Sequence, residues 1–217
     1  MLLAKFTVLQ ILFLIIAPIA VISLLVIFVI LPINKNHHKN NFKEYCYKAI
    51  YRIAFDEDYY LINNFLFRVD SSKVARIDHL LFGNKYIYLI IDTYYEGDLT
   101  GKEENKSLIL INNKNEKYYT DNQYMIVKSL VKSLSSKTGI SEDMFIGVVV
   151  VNNDCRLAIE TESKQYYMIQ RNKLKRLVRA IESRNVGNIN AAQLESAVKA
   201  IDKLNRNKKN ENKRSEK

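Results

Sequence analysis

The chain has 217 residues, 48% of them hydrophobic and 26% charged, with a formal net charge of +10. This length suits one mixed domain with a short tail, and the positive balance admits nucleic acid or anionic lipid without choosing between them. Two cysteines, Cys46 and Cys155, provide neither a disulfide framework nor a spaced metal pattern, which excludes a small cystine-rich or zinc-ribbon class.

Residues 6–33 carry no charge and only Thr7, Gln10 and Ser23 as polar interruptions. A helix needs about 20 apolar residues to cross a hydrocarbon core of ~30 Å, so this run predicts an uncleaved transmembrane anchor over residues 1–35. A signal peptide would have a shorter apolar region and a small-residue cleavage site. Lys35, Lys39, Lys43, Lys48 and Arg52 follow the run, against Lys5 before it. That bias predicts a single-pass protein of the cell membrane with its C-terminal domain in the cytoplasm. His37-His38 reads as a juxtamembrane linker, since adjacent residues do not share a helix face.

Phe42, Cys46, Ala49, Ile50 and Ile53 recur at intervals of three and four, predicting an amphipathic helix over 41–54. Asp56-Glu57-Asp58 then reads as a polar loop, and 59–69 as a strand interrupted near Asn63-Asn64. Residues 74–82 and 86–92 form a central hairpin, and 108–111 with 117–120 a smaller one around Asn112–Asn115. A helix over 121–135 follows, with Thr120 or Asp121 as N-cap and Met125, Val127, Leu130, Val131 and Leu134 on its apolar face. The continuous apolar run 144–151 predicts a strand buried on both faces. Residues 172–184 and 191–205 are two further helices, the second with Leu194, Val198, Ile201 and Leu204 on one stripe. The order predicts an α/β fold with a mixed central sheet flanked by helices. Residues 36–185 would form the domain, 186–205 a C-terminal amphipathic helix and 206–217 a basic disordered tail.

Several features stand in a particular order. Glu44 lies on the first helix of the domain, and Ile77-Asp78-His79 on the first hairpin strand. The apolar YIYLII strand follows, then Gly97 and Gly101, then Asp121-Asn122-Gln123 opening a helix, and finally the VVVV strand. Together these pieces, spread over 41–184, resemble the nuclease-related domain (NERD) family of the PD-(D/E)xK nuclease superfamily. The resemblance implies a restriction-endonuclease-like fold, and phosphodiester hydrolysis assisted by Mg²⁺. A hard cation of this kind is held by carboxylates, activates water and screens phosphate charge. Carried over, Asp78 matches the first motif acid and Glu44 the helix acid; in an active site Asp78 and Asp92 would be the metal ligands. Gln123 would touch a substrate phosphate or brace the sheet edge.

The chain departs from the motif at the second strand. In Asp92-Thr93-Tyr94, Tyr94 stands where the lysine belongs, and a gap-free count from Asp78 places Thr93 there instead. Gly83-Asn84 suits a two-residue type II′ turn, which would set Asp92 opposite Ala75 and turn it away from Asp78. These features predict a catalytically degenerate, membrane-anchored nuclease-related domain that binds nucleic acid or protein. Two alternatives are a Mg²⁺-dependent endonuclease using Glu44, Asp78 and Asp92 with Lys85 or Lys102 as a displaced lysine, and a membrane-tethered adaptor unrelated to nucleic acid.

Overall fold

The computed structural model of the protein describes residues 8–26, 28 and 31–205. The chain forms two compact units, Met1–Phe42 and Lys43–Lys217. In the first, α1 (Val8–Leu25) contains Pro18, and α2 (Leu31–Asn40) follows. At 1.5 Å per residue, the 18 residues of α1 span about 27 Å. No helix among the described residues is long and apolar enough to cross a membrane. The expected anchor over 6–33 lies partly outside the described residues, as does all of the expected tail over 206–217.

The second unit is a mixed α/β fold with two mixed sheets flanked by helices. α3 (Phe42–Glu57) runs past the predicted polar loop. Two of the acids expected to break it are instead held by the helix before the last one: Glu57 accepts from Arg179 at 2.7 Å, and Asp56 pairs with Lys175. The turn comes at Asp58, which adopts a left-handed φ of 54°, with Tyr59 N–H donating back to the Ala54 carbonyl at 2.8 Å.

The larger sheet has the order β1-β2-β3-β7-β9, and the smaller β6-β5-β4-β8. β1 (Tyr60–Arg68), β2 (Val74–Phe82) and β3 (Ile87–Thr93) are antiparallel neighbours. Next in the chain come β4 (Asp98–Lys102), β5 (Ser107–Ile111) and β6 (Lys117–Asp121). α4 (Gln123–Thr138) leads to β7 (Phe145–Val151), which joins β3 in parallel as a helical crossover requires. β8 (Leu157–Glu160) pairs with β4 and β9 (Tyr166–Gln170) with β7, both in parallel. α5 (Leu174–Glu182) and α6 (Ala191–Asp202) complete the unit. The strands β4, β8 and β9 carry too little alternation to be read from sequence, and with two of them the smaller sheet was missed.

β7 is buried at every residue, as its unbroken apolar run requires. One face of the larger sheet packs Ile87, Leu89, Phe145 and Val149 in a cluster with Val127, Val131 and Leu134 of α4 and Ile201 of α6. The other side is covered by α3 and α5, whose Cys46, Ile50, Val178 and Ile181 are buried. The α4 cap is Asn122, not Thr120 or Asp121: its side chain accepts from Tyr124 N–H, and its amide donates to three carbonyls of the β4–β5 connection. Tyr124 takes the buried place expected of Met125, which is exposed.

Gly147 allows α4 and β9 to close on β7. A Cβ there would stand 2.2 Å from Val127 Cγ1 and 2.6 Å from Tyr166 Cδ1. Both neighbours sit in the packed core and have little room to move. Gly147→Ala is therefore expected to cost about 1–3 kcal/mol, read as a lowered midpoint in urea unfolding at unchanged slope.

Candidate functional site

Strict alternation fails once along β1 and β2. In β2, Ala75 and Ile77 enter the α4-side core, and then Leu80 and Phe82 do, so the period of two is broken between them. In β1 the same break separates Phe65 and Phe67 from Ile62, around Asn64, whose φ of 53° is left-handed. Asparagine tolerates that conformation better than most residues. Consequently Asp78 and His79 both face α3: Lys43 Nζ lies 3.1 Å from Asp78 Oδ1, and the Tyr47 ring 6.5 Å from that of His79. β3 keeps its alternation, sending Ile87, Leu89 and Ile91 to the α4 side and Asp92 to the α3 side.

The hairpin register differs from the expected one. Phe82 pairs with Ile87 and His79 with Ile90, so the turn residues are Asn84-Lys85, not Gly83-Asn84. The reason is distant in sequence. Glu182 accepts from Lys85 N–H at 3.0 Å and from the Tyr88 hydroxyl at 2.7 Å, while Ile189 N–H donates to the Asn84 carbonyl at 2.7 Å. A side chain on Gly83 would meet Glu182 Oε1 at 2.4 Å. The broken alternation then overturns the expectation that Asp92 turns away from Asp78. Where the β2–β3 ladder ends, Asp78 Oδ2 accepts from the Asp92 backbone N–H at 3.1 Å.

The two acids differ in surroundings. Asp78 Oδ1 is shared by Lys43 at 3.1 Å and Arg76 at 3.3 Å. Asp92 Oδ2 lies 2.8 Å from His79 Nε2, and His79 Nδ1 lies 2.6 Å from Asn63 Oδ1. Both ring nitrogens of His79 thus lie within hydrogen-bond reach of a side-chain oxygen. Burial raises the pKa of Asp92, and the His79 contact only partly reverses this. Asp92 Oδ1 is buried with no hydrogen-bond partner among the described residues. The neighbouring Cys46 thiol is also pushed up, by burial first and by the Asp92 charge second, which makes it inert.

The remaining expected residues do not join this pair. Glu44 points to solvent and pairs with Lys48 one turn along α3 at 2.5 Å. Gln123 is the first residue of α4, on the opposite side of the sheet, beside the Tyr95 hydroxyl. Thr93 ends β3, and Tyr94 follows it. Of the displaced lysines, Lys85 bonds to the Arg184 carbonyl at the hairpin tip and Lys102 to Glu160 at 2.9 Å. The lysine at Asp78 is Lys43, which sequence reasoning missed together with Arg76 and Asn63. His79 was named there only within Ile77-Asp78-His79, without a role, and the break near Asn63-Asn64 was the other visible signal.

Mg²⁺ demands near-octahedral oxygen ligation. Here Asp78 is occupied by two cations and a backbone N–H, and Asp92 has its Oδ2 on His79 with only Oδ1 left over. Among the described residues, no group of three or more His, Cys, Asp or Glu is placed to hold a metal ion. The residues present do not fit the ion.

The domain is thus a mixed α/β fold in which Asp78 and Asp92 meet where β2 and β3 diverge. The sequence profile described as the nuclease-related domain matches residues 39–153, more than half of the chain, and the chain belongs to that family. No match is found among curated proteins or among solved structures. The matched region contains α3, the Asp78–Asp92 pair and Gln123, and ends just after β7.

Because the fold raises the Asp92 pKa, the native state holds this proton more tightly than the unfolded chain. The contribution of Asp92 to stability therefore falls as pH rises from the unfolded pKa, about 4, toward the folded one. Asp92→Asn should flatten that part of the stability profile. At neutral pH it should unfold no more easily than the parent chain, with a gain of up to about 2 kcal/mol. A loss above about 3 kcal/mol in denaturant titration would instead identify a charged His79–Asp92 pair.

Proposed function

We propose that this chain is a membrane-anchored member of the nuclease-related family whose catalytic centre is retired and whose restriction-endonuclease-like domain serves as a binding module for nucleic acid or protein. The observation that carries this reading is the environment of Asp78. Lys43 and Arg76 hold its Oδ1 at 3.1 and 3.3 Å, where an active centre would leave the carboxylate open to a divalent ion. Tyr94 in the lysine position and Glu44 turned to Lys48 support it.

Anchoring is supported by the charge-free residues 6–33 and by α1, whose Ile16, Ile19, Val21, Ile22 and Leu24 are all more than half exposed. An apolar surface of that kind calls for lipid or a partner. The excess of Lys and Arg after the run favours a cytoplasmic domain. The close approach of Asp78 and Asp92 favours the second reading, a Mg²⁺-dependent endonuclease.

Cleavage assays on the full-length protein in mild detergent separate the two. Single- and double-stranded DNA and RNA with Mg²⁺ or Mn²⁺ should remain intact, with the parent chain and Asp78→Asn indistinguishable. Cleavage that disappears in Asp78→Asn would restore the endonuclease. For the anchor, the full chain should stay in the membrane pellet after an alkaline wash, and a chain lacking residues 1–33 should move to the supernatant.

A further inference from the structure

α3 carries three aromatic side chains that the core does not use. Beside its buried Cys46, Ile50 and Ile53, the residues Tyr47, Tyr51 and Phe55 are 41%, 53% and 77% exposed. Spacing of four places successive side chains above one another on a helix. The Tyr47 and Tyr51 ring centroids are 6.0 Å apart with planes at 29°, and those of Tyr51 and Phe55 are 6.5 Å apart at 21°. The row continues inward to His79, 6.5 Å from Tyr47 at 33°. Four rings thus run from the Asp78–Asp92 pair out to solvent, with their planes roughly aligned.

Atoms in contact stand at about 3.5–4 Å, so a planar group between two rings needs about 7 Å between them. The ring centroids, 6.0 and 6.5 Å apart, are closer than that, so a base stacks on an exposed ring face or enters once the side chains open. The charges around the row are complementary to a phosphate chain. Lys43 precedes Tyr47 by one turn and stands with Arg76 at the inner end, where the two share the one carboxylate of Asp78 and leave a net positive charge, while Arg52 lies on the outer part of α3. The acids of the same helix are already neutralised: Glu44 by Lys48, Asp56 by Lys175 and Glu57 by Arg179.

We propose that the row Tyr47–Tyr51–Phe55 is a stacking platform for single-stranded nucleic acid, with phosphates running along Lys43, Arg76 and Arg52. The proposal rests on the reading of the domain as a binding module and names its partner. Bases offer π-faces whatever their sequence, so such a platform binds without sequence preference and weakens with salt. Paired bases have their faces occupied, so a duplex gains only the electrostatic part. A lipid interface would also accept aromatic side chains, but it has no use for aligned planes and no preference for single strands.

The test measures fluorescence anisotropy of a labelled dT oligonucleotide, alone and annealed to dA, with the full-length protein in mild detergent. The single strand should bind more tightly than the duplex. The double variant Tyr51→Ala with Phe55→Ala should weaken single-strand binding by about thirtyfold or more, whereas Tyr51→Phe should stay within about twofold. Both rings are exposed, so the double variant should melt with the parent chain. Unchanged single-strand affinity in the double variant overturns the platform, as does a parent chain that fails to bind dT. A drop confined to phosphatidylglycerol vesicles assigns the row to a lipid surface and also overturns it. Cleavage of the strand by the parent chain would overturn the retired-centre reading alone, and the double variant would still decide the platform.

Discussion

The pleat of a strand sends successive side chains to opposite faces, so one sheet cannot present two consecutive residues to one helix without a local break. In this chain that break falls at Asn64 and across from it between Ile77 and Leu80. It costs the regularity of the β2–β3 ladder, which stops at His79 and Ile90. In return Asp78, His79 and Asp92 all meet α3, and an acid side chain closes the gap by accepting the free backbone N–H of Asp92. Regular alternation would leave these three groups on two sides of the sheet.

Once gathered, the acids are compensated from within the protein. Carboxylates removed from water need partners or protons. Asp78 receives a lysine from α3 and an arginine from its own strand, and Asp92 a histidine. α5 fixes the far end of the same hairpin through Glu182, itself raised in pKa by burial. The hairpin is therefore held at one end by α3 and at the other by α5, and those helices are joined by Asp56–Lys175 and Glu57–Arg179.

The aromatic row on α3 belongs to the same arrangement. Its inner member packs near His79, and the outer two leave the protein surface. The same helix supplies both the cation on Asp78 and the open row of rings.

By itself the sequence determined what local periodicity can carry. Phe42–Ile53 repeats at three and four, β7 is apolar without interruption, and β2 was legible with both its limits. The order of Glu44, Asp78, Gly97 and Gln123 was enough to point to the family. Where contacts distant along the chain decide, the residues were silent. Glu182 and Ile189 chose Asn84-Lys85 as the turn, the pairing with α5 carried α3 through Asp56 and Glu57, and β4, β8 and β9 exist because neighbouring strands complete their hydrogen bonds. That Lys43 answers Asp78 while Glu44 faces solvent is settled by the rotation of α3 on the sheet. Helix rotation is fixed by packing of the buried Cys46 and Ile50, and no short-range pattern encodes which neighbour their packing brings into reach.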